Sequence, residues 1–191
     1  RFSVSPLAMS GEVPDAGFEW LLPFAEIREC LDPRQLGVGG GRALVLGSGR
    51  SMLSQELVTA GFYKEVVSFD SDPDAVAFTQ ARCPDLHFAT VDCCSEASMS
   101  SALSQAGGSD FDAVIDKGTL DAVMCGDGAG RLLALGCGAL TVGGVYVLVS
   151  LRKEELVRAL VEGAPCTWEA RIETRGGFVV AFLRRVDAGK I

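Results

Sequence analysis

Hydrophobic and polar positions along the chain follow two periods, and the switches between them outline the elements. From Phe18 to Leu31, apolar residues fall at Phe18, Leu21, Leu22, Phe24, Ile27 and Leu31, with Glu26, Arg28 and Glu29 between them. This is the spacing of a helix with one buried face. Pro33 and the glycine cluster of 37–41 end it. A continuous apolar run at 42–46 then predicts a buried strand. Strand and helix patterns alternate from there: helix 51–60, strand 65–70, helix 73–82, strand 86–91, helix 98–106, strand 111–116, helix 130–140, strand 145–150 and helix 153–162. The last two strands, 167–174 and 178–185, are joined only by Arg175, Gly176 and Gly177. That link is too short for a parallel crossover, so the pair must be an antiparallel hairpin. The pattern predicts an α/β fold: a doubly wound, mostly parallel seven-stranded sheet ending in an antiparallel hairpin.

Composition changes this picture little. The 191 residues, 48% hydrophobic and 22% charged, fit one domain with a substantial core. Residues 1–41 are expected to form an N-terminal helical segment, 42–150 the cofactor-binding core, and 151–191 the terminal helix and hairpin. The apolar runs fall short of the ~20 residues of a membrane span. The amino end lacks the basic-then-apolar layout of a secretory signal. A cytoplasmic protein is expected, or a mitochondrial one if a transit peptide has been removed. The net charge of −8 argues against nonspecific nucleic-acid binding, which rests on phosphate neutralisation by Lys and Arg. An acidic surface suits a basic protein substrate, and equally an ordinary solvated one. Seven cysteines without paired C-x-x-C spacing, and a single histidine, predict free thiols and no metal site.

The chemistry concentrates where strands end. Strand 42–46 breaks into Gly47-Ser48-Gly49 before a helix, a turn that lets a ligand approach the backbone. The following strand ends at Asp70, about 20 residues on, where a carboxylate can accept both hydroxyls of a ribose. The third strand ends at Asp92, which with the Cys93 backbone can read an adenine edge, and the fourth ends at Asp116. Ser48 and Ser71 complete the candidate cofactor-binding set. Four polar ends in register point to the ligand crevice of a Rossmann-like sheet, whereas Asp72, before Pro73, reads as a helix cap. A nicotinamide dinucleotide is the first rival. Its fingerprint needs a third small residue, and that position holds Met52. S-adenosylmethionine offers an adenosine to Asp70 and Asp92 without a diphosphate.

The segment Asp116-Lys117-Gly118-Thr119-Leu120-Asp121-Ala122, with Gly47-x-Gly49-x-Ser51, Asp70 and Phe18-Glu19-Trp20, resembles the seven-β-strand methyltransferases that modify protein lysines. The resemblance is to the elongation factor 1A and citrate synthase lysine methyltransferase branch, and it runs from about Phe18 to Arg185. It departs at Ser48 and Arg50, where that branch usually carries Cys and Asn, and in lacking the aromatic Tyr-Trp segment before the first helix. The resemblance implies methyl transfer from S-adenosylmethionine to a lysine amine, with S-adenosylhomocysteine as product. The implied partner is a protein, possible translation factors among them, with no specific nucleic acid and no membrane.

Asp116 is the expected catalytic residue, accepting a hydrogen bond from the cofactor's ammonium or from the substrate amine, unless it only caps the next helix. Lys117, unfavourable beside a sulfonium, should turn away and pair with Asp112 or Asp121. Asp121 either guides a cationic lysine or solvates a helix face. Trp20 either walls the lysine channel or packs in the core, and His87 reads as structural. The substrate side is expected from Trp20, the loop after Asp116 and the stretch 175–177. Two other readings stay open: a non-catalytic methyltransferase-like binding protein, and a small-molecule methyl or aminopropyl transferase.

Overall fold

Each parallel strand alternates its side chains between two apolar layers, which dictates helices on both faces of the sheet. A computed structural model describes residues 19–187. In β1 (Arg42–Leu46), Ala43 and Val45 enter one core, while Leu44 and Leu46 enter the other. The remaining strands are β2 (Glu65–Asp70), β3 (His87–Thr90), β4 (Phe111–Lys117), β5 (Leu140–Ser150), β6 (Trp168–Arg175) and β7 (Phe178–Arg185). They form one sheet in the order β3-β2-β1-β4-β5-β7-β6. The first five pair in parallel, and β7 is antiparallel to both β5 and β6. Sheets buried on both faces require near-continuous apolar strands, which is why these runs lack polar alternation.

Helices α1 (Phe24–Leu31), α2 (Pro33–Leu36) and α3 (Leu53–Thr59) supply Ile27, Leu31, Leu36, Leu53 and Leu57 to one core. The opposite core receives Met99 and Leu103 from α5 (Glu96–Gln105), Leu120 from α6 (Thr119–Ala122), Leu132 and Leu133 from α7 (Gly128–Ala139), and Val157 and Val161 from α8 (Glu154–Gly163). Helix α4 (Pro73–Arg82) follows β2, with Pro73 in its first turn and the Asp72 carboxylate accepting from Asp74 N–H at 2.9 Å. Among the described residues no helix is long and apolar enough to cross a membrane.

The α/β architecture with a terminal hairpin is as the sequence predicts, with local departures that have physical causes. The helix expected over 18–31 starts only at Phe24, because Pro23 occupies its N-cap with extended geometry and Leu21 adopts φ 76°. Phe18 lies outside the described residues. Strand β5 begins at Leu140 rather than 145. Leu140 pairs with Phe111, and the register shifts before Ala113 meets Val145, so Thr141–Gly144 is a bulged part of the strand. The sequence pattern does not predict the short helix α2, and it sets no bounds for α6, the helix that Asp116 is weighed as capping; one turn is too short to show a period.

Two glycines of α7 separate packing from propensity. A Cβ on Gly136 would lie 2.4 Å from Tyr146 Cε2, whereas one on Gly138 would meet nothing within 4 Å. Urea denaturation should show Gly136→Ala destabilised by about 1–3 kcal/mol through overpacking. Gly138→Ala should be neutral or stabilised by up to about 1 kcal/mol.

Candidate functional site

The strand order reverses between β1 and β4, whose crossovers leave in opposite directions, and a crevice opens there at the carboxyl edge of the sheet. Register brings the strand ends together: Leu46 lies beside both Phe69 and Asp116, and Asp70 beside Thr90. The resulting cavity of about 390 Å³ is lined by Leu46 to Ser51, Asp70 and Ser71, Val91 to Cys94, and Lys117 to Thr119. Its size and its mixture of apolar walls with a few polar groups are those of a small-ligand site. A larger groove of about 800 Å³ lies between α1 and the β6–β7 hairpin. Its arginines are already engaged, Arg171 and Arg175 by Glu173, and Arg184 by the Leu36 and Gly143 carbonyls. The smaller cavity is therefore the candidate site.

Gly47 turns at φ 63°, and a Cβ there would sit 2.0 Å from the Thr119 hydroxyl oxygen. That hydroxyl donates to Leu46 O at 2.7 Å and fastens the loop to α6. Gly49 has φ 55° with open space where a Cβ would be. Ser48 is buried at 5% exposure, and its hydroxyl has no hydrogen-bond partner. A buried hydroxyl with no protein partner in a cavity wall suits hydrogen bonding to a bound small molecule.

Asp70, at the end of β2, is hydrogen-bonded directly to the loop. One carboxylate oxygen accepts from Gly49 N–H at 2.6 Å and the other from Asp72 N–H at 2.8 Å. The loop amide that a phosphate would use thus already faces a carboxylate, which repels an anion and suits a neutral or cationic ligand. Asp92 is exposed and accepts from Cys94 N–H at 2.9 Å. The Cys93 thiol is buried beside it, its pKa pushed up to about 12 by desolvation. These features fit an adenosyl group bearing a positive charge: apolar walls, carboxylates at two strand ends and no phosphate cradle.

Seven of the eight expected cofactor-binding residues, Gly47, Ser48, Gly49, Asp70, Ser71, Asp92 and Cys93, line the cavity. Asp116 does not. It is wholly buried beneath the floor, accepting from Thr119 N–H at 2.8 Å, Leu120 N–H at 3.2 Å and Tyr146 O–H at 2.9 Å. The expected direct contact with cofactor or amine gives way to a cap on α6 that also anchors β5. Lys117 is also corrected. Its ammonium pairs with Glu19 at 2.8 Å, not with Asp112 or Asp121. Asp112 sits at the other end of β4, accepting from Gly41 and Arg42 N–H. Asp121 accepts from the Ser150 hydroxyl and Leu151 N–H. Arg175 turns away to Glu173 and the Cys30 thiol. His87 opens the edge strand β3 in an exposed position. Trp20 is 57% exposed and forms part of the cavity wall, so it is not a core residue. The loop after Asp116 reaches the cavity as expected, through Gly118 and Thr119, whereas Ala122 and Val123 line it without having been singled out, since nothing in their local pattern marks them.

The sheet order, with a ligand cavity at its switch point, is that of the seven-β-strand methyltransferase fold. A TehB-like S-adenosylmethionine-dependent methyltransferase from Corynebacterium glutamicum matches it with a TM-score of 0.60 at 19% identity, covering 76% of this chain and 80% of that one. In sequence the chain is similar to EEF1A lysine methyltransferase 4 of Mus musculus, 40% identical over 120 residues, or 61% of this chain and 43% of the relative. The eEF1A lysine and N-terminal methyltransferase of Danio rerio is 32% identical over 174 residues, 85% of this chain and 23% of the relative. The chain therefore spans less than half the length of these curated relatives, and its resemblance to the elongation factor 1A branch extends along most of it. No family model matches.

Burial pushes the Asp116 carboxyl up to about 7, against the hydrogen bonds from Leu120, Tyr146 and Thr119 that favour its ionised form. An unfolded Asp titrates near about 3.9, so the native state holds this proton more tightly. The associated stability is complete below about pH 4 and is lost as pH rises to about 7. Denaturation of wild type and Asp116→Asn across that window should show the wild type losing stability relative to the variant as pH rises. A pH-independent difference would refute the raised pKa.

Proposed function

We propose that this chain is an S-adenosylmethionine-dependent methyltransferase that transfers a methyl group to a lysine amine of a protein, with a translation factor as the favoured substrate. The observation that carries this reading is the crevice itself: Asp70 faces the Gly47–Gly49 loop with its carboxylate on the loop amide, in a chain similar to enzymes named for lysine methylation of elongation factor 1A. Asp70 holds the ribose hydroxyls, Asp92 and the Cys93 backbone meet the adenine, and Gly47, Ser48, Gly49 and Ser71 close around the adenosyl group. The seven free thiols support a reducing compartment, the cytoplasm.

When bound, the cofactor supplies an electrophilic methyl group on a sulfonium. The chain's own part is alignment. A lysine with pKa near 10.4 loses its proton at a cost of roughly 4.6 kcal/mol at pH 7, whereas correct positioning contributes about 7–11 kcal/mol. A dedicated base is not required by these magnitudes. Asp116 serves by holding α6 and β5 in place, so that Gly118 and Thr119 form a firm floor.

Calorimetric titration with S-adenosylmethionine, S-adenosylhomocysteine and NAD tests the cofactor. The adenosyl compounds alone should bind, and Asp70→Ala should weaken them more than tenfold, because charge-assisted hydrogen bonds contribute about 1.5–3 kcal/mol each. NAD binding or an unchanged variant would defeat the assignment. Methyl transfer should then require a lysine-bearing protein. Turnover of a free amine without protein would assign a small-molecule enzyme, and binding without turnover a non-catalytic relative.

A further inference from the structure

One carboxylate joins three distant pieces of chain at the cavity wall. Glu19 Oε1 accepts from the Ser51 hydroxyl at 2.6 Å and from Met52 N–H at 3.2 Å, just beyond the glycine loop. Its Oε2 accepts from Lys117 Nζ at 2.8 Å, at the end of β4. The ammonium spends its two other donors on Trp20 O at 2.6 Å and Leu22 O at 3.4 Å. It thereby clamps the carbonyls on either side of Leu21, the one described non-glycine residue at positive φ, 76°. Trp20 and Leu21 in turn rest on Gly118, where a Cβ would come within 2.5 Å of Leu21 Cδ1 and 3.0 Å of Trp20 Cδ1. The residues 19–22 thus form a strap over the cavity rim, held in a strained shape by the Glu19–Lys117 pair.

The pair also bears on the charge of that wall, alongside Arg50 and Asp70 in the lining and Glu56 behind it. Lys117 lines the cavity with its side chain only 6% exposed, so solvent does little to screen it. Unneutralised, it would repel both a sulfonium and an incoming lysine. Glu19 removes this repulsion while fixing the strap.

We propose that Glu19 is a positioning residue for methyl transfer: by neutralising Lys117 and tying the strap to the cofactor loop, it makes the site accept a cationic cofactor and places Trp20 on the acceptor side. The proposal rests on the methyltransferase reading. Its distinguishing mark is discrimination by charge, since S-adenosylmethionine carries a sulfonium and S-adenosylhomocysteine an uncharged thioether. A merely structural Glu19 would affect the two alike.

The test is calorimetric titration of wild type, Glu19→Gln and the double variant Glu19→Gln/Lys117→Met with both compounds. In Glu19→Gln the dissociation constant for S-adenosylmethionine should rise about tenfold or more, and that for S-adenosylhomocysteine by less than about threefold. The double variant buries no unpaired cation but also lacks the ammonium that clamps the Trp20 and Leu22 carbonyls, so it should recover the wild-type ratio of S-adenosylmethionine to S-adenosylhomocysteine affinity rather than full stability. Equal weakening of both compounds, no weakening, or no recovery in the double variant overturns the proposal. If wild type binds neither compound, the methyltransferase reading falls and the proposal with it. Hydrogen exchange then judges the tie alone: Glu19→Gln should speed exchange at 19–23 and 51–53 together with β4 and β5 unchanged, and unaltered exchange refutes the tie.

Discussion

The seam where β1 meets β4 is the constraint on which the carboxyl edge depends. Parallel register sets Leu46 beside Asp116, and the Thr119 hydroxyl then reaches the Leu46 carbonyl across the join. Only glycine fits at 47 under that hydroxyl, so the chain must turn there in a left-handed conformation and leave its loop open toward β2. Asp116 fixes the other side of the seam from below, taking amides from α6 and the Tyr146 hydroxyl from β5. The loop, the floor and the third wall follow from one alignment of two strands. At the opposite end of the same seam, Asp112 takes the Gly41 and Arg42 amides, so β1 and β4 are pinned at both ends.

Polar groups at this edge divide by depth. Asp116 and Tyr146 lie beneath the floor with every partner inside the protein, and they shape the site without meeting a ligand. Asp70, Ser71 and Asp92 stand at the rim, where a small molecule can compete for them. Ser48 lies between these levels, buried yet unpartnered. A site that works by alignment calls for this division, because a group needed for rigidity cannot also be free to exchange partners.

What was legible in the sequence was local. Apolar runs gave the strands, Asp72 before Pro73 gave a cap, and the spacing from Gly47 to Asp70 gave the crevice, since each depends on neighbours along the chain. The errors were of reach. Asp112 was offered as a partner for Lys117, but five residues of strand separate them by about 16 Å and place them on opposite faces. The true partner, Glu19, is 98 residues away, and no local pattern encodes such a pairing. Asp116 was misplaced for a related reason: a strand-end acid signals the edge of the sheet, but whether it faces up to a ligand or down to a tyrosine depends on a residue of the next strand. Pro23 carried a legible warning that the helix starts after it.

The bonds that assemble the crevice span long stretches of sequence: 73 residues from Thr119 to Leu46, 71 from Gly41 to Asp112 and 98 from Glu19 to Lys117. Each closes a loop whose entropy must be lost before the bond repays it. Non-local topologies of this kind fold slowly, because loop-closure entropy is lost before the contacts it permits are gained. The crevice is thus a product of the finished sheet, and an incompletely folded chain, however rich in helix, has no place for a ligand to recognise.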